Sequence, residues 1–175
     1  MAPPAKKKGV VIEEYLAWLR ENLWMPYDLL TTPARDLTRE EALTVVLYLL
    51  AWGKLNIANR ESVMKVDSRG NAEWLSNSVR PTISPSTIDG VNFRYLSSID
   101  RKGNKQTVNQ TMGNLDPRNI VFLYKLAQML RLRFQVHTIY HIGFMFAASR
   151  VDCHGQGRAM DFGGAAGPNF DLTVA

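Results

Sequence analysis

The stretch Val151-Asp-Cys-His-Gly-Gln-Gly-Arg-Ala-Met-Asp-Phe-Gly-Gly164 gathers the residue types best able to do chemistry. It sets His154, Gly157, Ala159 and Asp161 at the spacing H-x-x-G-x-A-x-D. Imidazole nitrogen and carboxylate oxygen both bind zinc at about 2.0–2.2 Å, usually with four partners in a tetrahedron. His154 and Asp161 can reach one ion if the glycines turn the chain and Ala159 keeps a crowded inner position small. A carboxylate seven residues from a histidine is common by chance, and the Gly157-x-Ala159 pair between them makes it much less so. Two ligands alone do not make a working site.

The other candidate ligands are few. All three histidines, His137, His141 and His154, fall within eighteen residues. In a strand, His137 and His141 would emerge roughly 13 Å apart and could not both bind one ion. His141 alone would close a His, His, Asp set, with Asp152 or Asp171 as an improvised base. Against this, a strand histidine is more often a hydrogen-bonded structural residue. Cys153 is the only cysteine, which excludes an internal disulfide framework and a cysteine-rich zinc module and reads as a free thiol.

The string His154-Gly-Gln-Gly157-Arg-Ala159-Met-Asp161, following an expected strand, resembles the S-x-H-x-x-G-x-A-x-D signature of the zinc D-alanyl-D-alanine carboxypeptidases and related peptidoglycan peptidases. The match covers about residues 118–165. The resemblance implies the small α+β fold shared with hedgehog signalling domains, zinc as cofactor, and His154 and Asp161 as metal ligands. It also implies an arginine that holds the substrate's carboxylate, with Arg150 and Arg158 as the candidates; a surface charge is the alternative for each, and the weightier one for Arg158. Two departures stand out. Asp152 occupies the place of the usual serine. The downstream E-x-x-H or E-x-W-H element, source of the third ligand and of the base, has no counterpart, because no histidine follows His154 and no glutamate follows Glu73. The expectation is that these 175 residues are an N-terminal portion of a longer enzyme.

The elements that must position the motif can be read from periodicity. Ile12, Tyr15, Leu16, Leu19 and Leu23 form the stripe of an amphipathic helix ended by Pro26. Thr38-Arg-Glu-Glu41 fits a capping box and opens a second helix to about Leu55, apolar on nearly all sides and therefore central. Residues 59–114 lose helical spacing and read as loops, short turns around Glu73 to Ser76 and a short strand at Val91 to Leu96. Asp116-Pro117 caps a third helix carrying Ile120, Leu123, Tyr124, Ala127 and Leu130. From Phe134 to Phe146 the pattern alternates, placing Gln135, His137, Ile139 and His141 on the more polar face of a strand. The expected class is α+β: a helical N-terminal part followed by the first half of a small antiparallel-sheet zinc peptidase domain. The expected organisation is a mobile basic tail (1–8), a helical segment (9–58), a loop-rich connection (59–115) and an incomplete peptidase-like domain (116–175).

Composition narrows the function classes. Net charge is +5 with a pI near 9.5, which favours polyanions: nucleic acid, an anionic membrane surface or an acidic cell wall. Specific nucleic-acid binding has no motif behind it, since the aromatics lie in apolar stripes rather than among Arg and Lys. No membrane span is expected, because the longest apolar run, Ala42 to Trp52, falls well short of the roughly 20 residues that cross a bilayer. The start, with Lys6-Lys7-Lys8 and Glu13-Glu14, lacks the apolar centre of a secretion signal, so synthesis in the cytoplasm and action at the wall after export, injection or lysis are expected.

The leading expectation is a zinc-dependent carboxypeptidase or endopeptidase acting on cell-wall peptides, with the N-terminal helices addressing a docking partner. The alternative is a non-catalytic binding or assembly module of a phage-like or injection particle that keeps part of the fold.

Overall fold

The computed structural model describes residues 12–57, 64–66, 72–74, 85–95, 116–143, 153 and 158–173. The fold is α+β, with helices packed against a six-stranded sheet. Helix α1 (Ile12–Asn22) buries Tyr15, Leu16 and Leu19 of the stripe that its spacing predicts, while Leu23 lies past its end and is exposed. A short α2 (Tyr27–Thr31) and a 3-10 turn (Ala34–Asp36) lead to α3 (Arg39–Ala51).

At the start of α3 the amide of Glu41 donates to Thr38 Oγ1 at 3.1 Å, and the amide of Thr38 donates to Glu41 Oε2 at 2.8 Å. The capping box therefore closes in both directions. Nine of the helix's 13 residues are buried, so α3 is the central helix expected of an all-round apolar run. It ends at Ala51, four residues earlier than the apolar pattern suggests. Gly53, at φ +68, takes the left-handed position, and the amides of Gly53 and Lys54 bond back to the carbonyls of Leu50 and Leu49. This Schellman ending releases Leu55 to begin a strand.

Strand β1 is Leu55–Ile57, and β2 (Met64–Val66) and β3 (Ala72–Trp74) form a separate antiparallel pair. Strands β4 (Pro85–Ile88) and β5 (Val91–Tyr95) form a hairpin around Asp89-Gly90, both at positive φ (49 and 77) as a two-residue primed turn requires. Helix α4 (Pro117–Phe134) follows, then β6 (Thr138–Gly143), β7 (Asp161–Gly167) and β8 (Phe170–Thr173). The sheet order is β1-β4-β5-β6-β7-β8. All neighbours are antiparallel except β5 and β6, which run parallel because α4 carries the chain back across the sheet between them. The sheet is mixed, where the expectation was antiparallel.

Two details of the sequence reading are corrected around β6. The alternation from Phe134 does not begin a strand: α4 continues through Phe134, Gln135 caps it at φ +54, and the strand starts at Thr138. Nor is the face carrying His141 polar. Thr138, Ile139, Tyr140 and His141 are all buried, since β6 lies inside the sheet between β5 and β7. Ile88, Val91, Phe93 and Ile139 meet α3 and α4 residues such as Val46, Leu49, Ile120 and Leu123 in one apolar cluster. That cluster joins residues of the 9–58 and 116–175 segments, so both support the strand that begins at Asp161.

Candidate functional site

Asp161 is the first residue of β7, paired across the ladder with Gly143 of β6. Its neighbours fix its direction. Met160 packs against the core cluster, and Met160 and Phe162 line a cleft with α4. Alternation along the strand then turns the half-buried Asp161 to the opposite face of the sheet, away from the helices. It lies at the edge where β5 and β6 both end. The approach to β7 is held at two points: the amide of Arg158 donates to the carbonyl of Cys153 at 2.8 Å, and Asn119 Nδ2 donates to the carbonyl of Ala159 at 3.5 Å. A carboxylate placed on a strand with both flanking residues engaged has little freedom to wander.

His154 and Arg150 lie outside the described residues, as does Asp152. Cys153 is an exposed free thiol. Among the described residues no group of three or more His, Cys, Asp or Glu side chains is placed to hold a metal ion. The two remaining histidines go elsewhere. His137 is exposed in the connection before β6, its Nδ1 2.9 Å from Thr138 Oγ1. His141 pairs with Phe162, a residue of the helix side, and is fully buried. Desolvation by that burial lowers its pKa from 6.5 to about 4, so the imidazole is neutral at physiological pH.

Asp171 is not placed to assist Asp161. It pairs with Ala166, five residues along β7 from Asp161, a separation of roughly 13 Å with one bulged residue discounted. Its Oδ2 instead accepts a hydrogen bond from the Tyr140 hydroxyl at 3.3 Å, across β7.

The structure also assembles a feature that the sequence reading missed. Asp116, the N-cap of α4, receives the Arg118 amide (2.9 Å) and a forked pair from Arg118 Nε (2.9 Å) and Nη2 (2.6 Å). Burial alone would raise the Asp116 pKa, but these hydrogen bonds and the charges of Arg118 and Arg158 outweigh it and hold the carboxyl below its usual value. Arg158 Nε stands 4.0 Å from the same carboxylate. This cluster closes one end of the cleft, about 710 Å³ in volume, between α4, the 3-10 turn and the lead into β7. A signal was present: Phe122 and Leu126 sit off the helix stripe that faces the core, marking a second apolar side. Lys125, beside them, donates from Nζ to the Thr32 carbonyl and ties α4 to the end of α2.

Compared with family models, with curated proteins and with solved structures, the chain matches none.

Proposed function

We propose that this chain supplies the imidazole and carboxylate half of a zinc centre in a peptidase that cleaves D-amino-acid-containing peptides of the bacterial cell wall. One observation carries the reading. Asp161 opens β7 on the sheet face opposite the helices, at the edge where Arg158 ties the chain back to Cys153. That placement fits a metal ligand held by a strand, and the motif spacing supplies His154 as its partner.

When bound, zinc would polarise a peptide carbonyl and lower the pKa of water to about 7. The chain's own contributions are positional. Asp161 would present a carboxylate oxygen from a fixed strand, and His154 a neutral imidazole nitrogen. The third ligand and the proton-transferring base come from residues other than His137 and His141, one facing solvent and the other buried on the helix side. The net charge of +5 would hold the protein near an anionic wall. No helix among the described residues is long and apolar enough to cross a membrane.

Zinc content after dialysis, measured on the 175-residue chain and on any longer form its reading frame encodes, tests the reading. The expected result is about one zinc per chain in the form that completes the site, lost in His154→Ala and in Asp161→Ala with circular dichroism unchanged. Zinc-dependent release of amino acids from wall peptides should disappear in the same variants. Failure of every form to take up zinc would abandon the peptidase and leave the non-catalytic assembly module as the reading.

A further inference from the structure

The cleft on the helix side of β7 is separate from the candidate metal ligand, and its polarity is segregated along its length. Arg118 and Asn119 stand at one end of the α4 wall, followed by Phe122, Leu126 and Leu130. Twelve residues of helix run about 18 Å, so the wall passes from charged to wholly apolar over that distance. The facing wall repeats the order, with Arg158 first and Met160 and Phe162 after it.

Both large rings are open to solvent: Phe122 is 53% exposed and Phe162 is 48% exposed, on opposite walls. Paired apolar exposure inside a concavity of this size marks a ligand site more often than scattered surface residues do. The charged end has a sign. Its one carboxylate, Asp116, is already engaged by the fork of Arg118, while Arg158 stands off at 4.0 Å with half its side chain exposed. The lining holds three guanidinium groups, Arg35, Arg118 and Arg158, against the one carboxylate of Asp116, so it carries net positive charge, and the half-exposed Arg158 can turn toward an incoming anion.

We infer that this cleft binds a single-chain amphiphile with an anionic head group of the carboxylate class, its tail along Phe122, Leu126 and Leu130 and its head at Arg158. A neutral apolar ligand would leave the charged end unmatched, and a cationic head would be repelled. The inference does not depend on the zinc reading, because the cleft and Asp161 lie on opposite faces of the sheet.

Calorimetry of the full chain with dodecanoate, dodecanol and dodecylamine, all below their micellar concentrations, tests it. Dodecanoate should bind at one site per chain, about tenfold more tightly than dodecanol, with dodecylamine weakest. Arg158→Gln should remove the advantage of dodecanoate and leave dodecanol unchanged, while Phe122→Ser should weaken both. Phe122 is half exposed, so that variant should keep its circular dichroism spectrum. Equal affinity for the three head groups, or a carboxylate preference that survives Arg158→Gln, would overturn the assignment. So would a dimer in sedimentation that Phe122→Ser dissolves, since the face would then belong to a second copy of the chain.

Discussion

The Asp89 carboxylate accepts two hydrogen bonds from Arg131, at 3.1 and 2.7 Å, across forty-two residues of sequence. Its side chain is 3% exposed, and Lys54 adds a second cation at 3.6 Å. The Asp89 amide also donates to the Lys54 carbonyl at 2.6 Å. One turn residue therefore pins the β4–β5 hairpin to the end of α3 and to the last turn of α4. Removing Arg131 strands a buried carboxylate, whereas removing the charge of Asp89 leaves a guanidinium that is 40% exposed and can rehydrate. Arg131→Met is expected to cost about 3 kcal/mol and Asp89→Asn about 1–2 kcal/mol, because breaking a buried pair costs most when a charge stays behind. Asp89→Ala should cost about 1 kcal/mol more than Asp89→Asn, since alanine tolerates the positive φ less well. Urea unfolding of the three variants checks the order.

The reciprocal capping bonds at Thr38 and Glu41 make a second, local prediction. Thr38→Ala removes the oxygen that accepts the Glu41 amide, in a helix whose burial makes it the centre of the core. The expected loss is about 1 kcal/mol in urea unfolding. Glu41→Ala should cost less, since the Thr38 amide that it frees is near solvent.

What the sequence shows of this fold is local. The capping box, the Asp116-Pro117 helix start and the burial of α3 were legible because each depends on a few neighbouring residues. Helix α3 ends before the apolar run does, because Gly53 takes a left-handed φ that apolar spacing alone does not signal. Asp89-Gly90 between Ile88 and Val91 is a hairpin signal of the kind that primed turns require, yet only the second strand was anticipated. The burial of His141 was not legible. Alternation states which residues share a face, and whether that face is covered depends on β5 and β7, which lie far away in sequence. Asp161 stands at a strand start, a position that motif spacing alone does not specify. The cleft is only half legible: Phe122 and Leu126 mark a second apolar side of α4, but the facing walls come from residues near 34 and 160.

His141 gives the fold a dependence on pH. The unfolded imidazole takes up a proton below pH about 6.5, whereas the buried one does so only below about 4. Between those values the unfolded state binds more protons, so stability falls as pH is lowered through the window. Two and a half units correspond to roughly 3 kcal/mol. The Asp116 carboxyl, held below its usual value of 3.8, adds a further loss only at lower pH. Unfolding free energy measured from pH 7 to pH 4 should drop by that order, and His141→Leu should flatten the curve above pH 4. A wild-type curve that is already flat there would show that the native state protonates His141 without cost.

Gly167 allows a sharper steric prediction. A Cβ at this position would stand 2.6 and 3.0 Å from two carbons of the Phe170 ring and 3.1 Å from the Gln135 carbonyl oxygen. Phe170 pairs with Gly167 in the ladder and packs against the core, so its ring cannot simply swing into solvent. The carbonyl belongs to the C-cap of α4 and is fixed by the helix. Crowding of this kind costs about 1–3 kcal/mol. Gly167→Ala should lower the urea midpoint accordingly, and Phe170→Leu in the same chain should recover part of the loss by shortening the side chain that meets the new methyl. If the double variant is no more stable than the sum of the two single changes predicts, the Gln135 carbonyl rather than the ring sets the penalty.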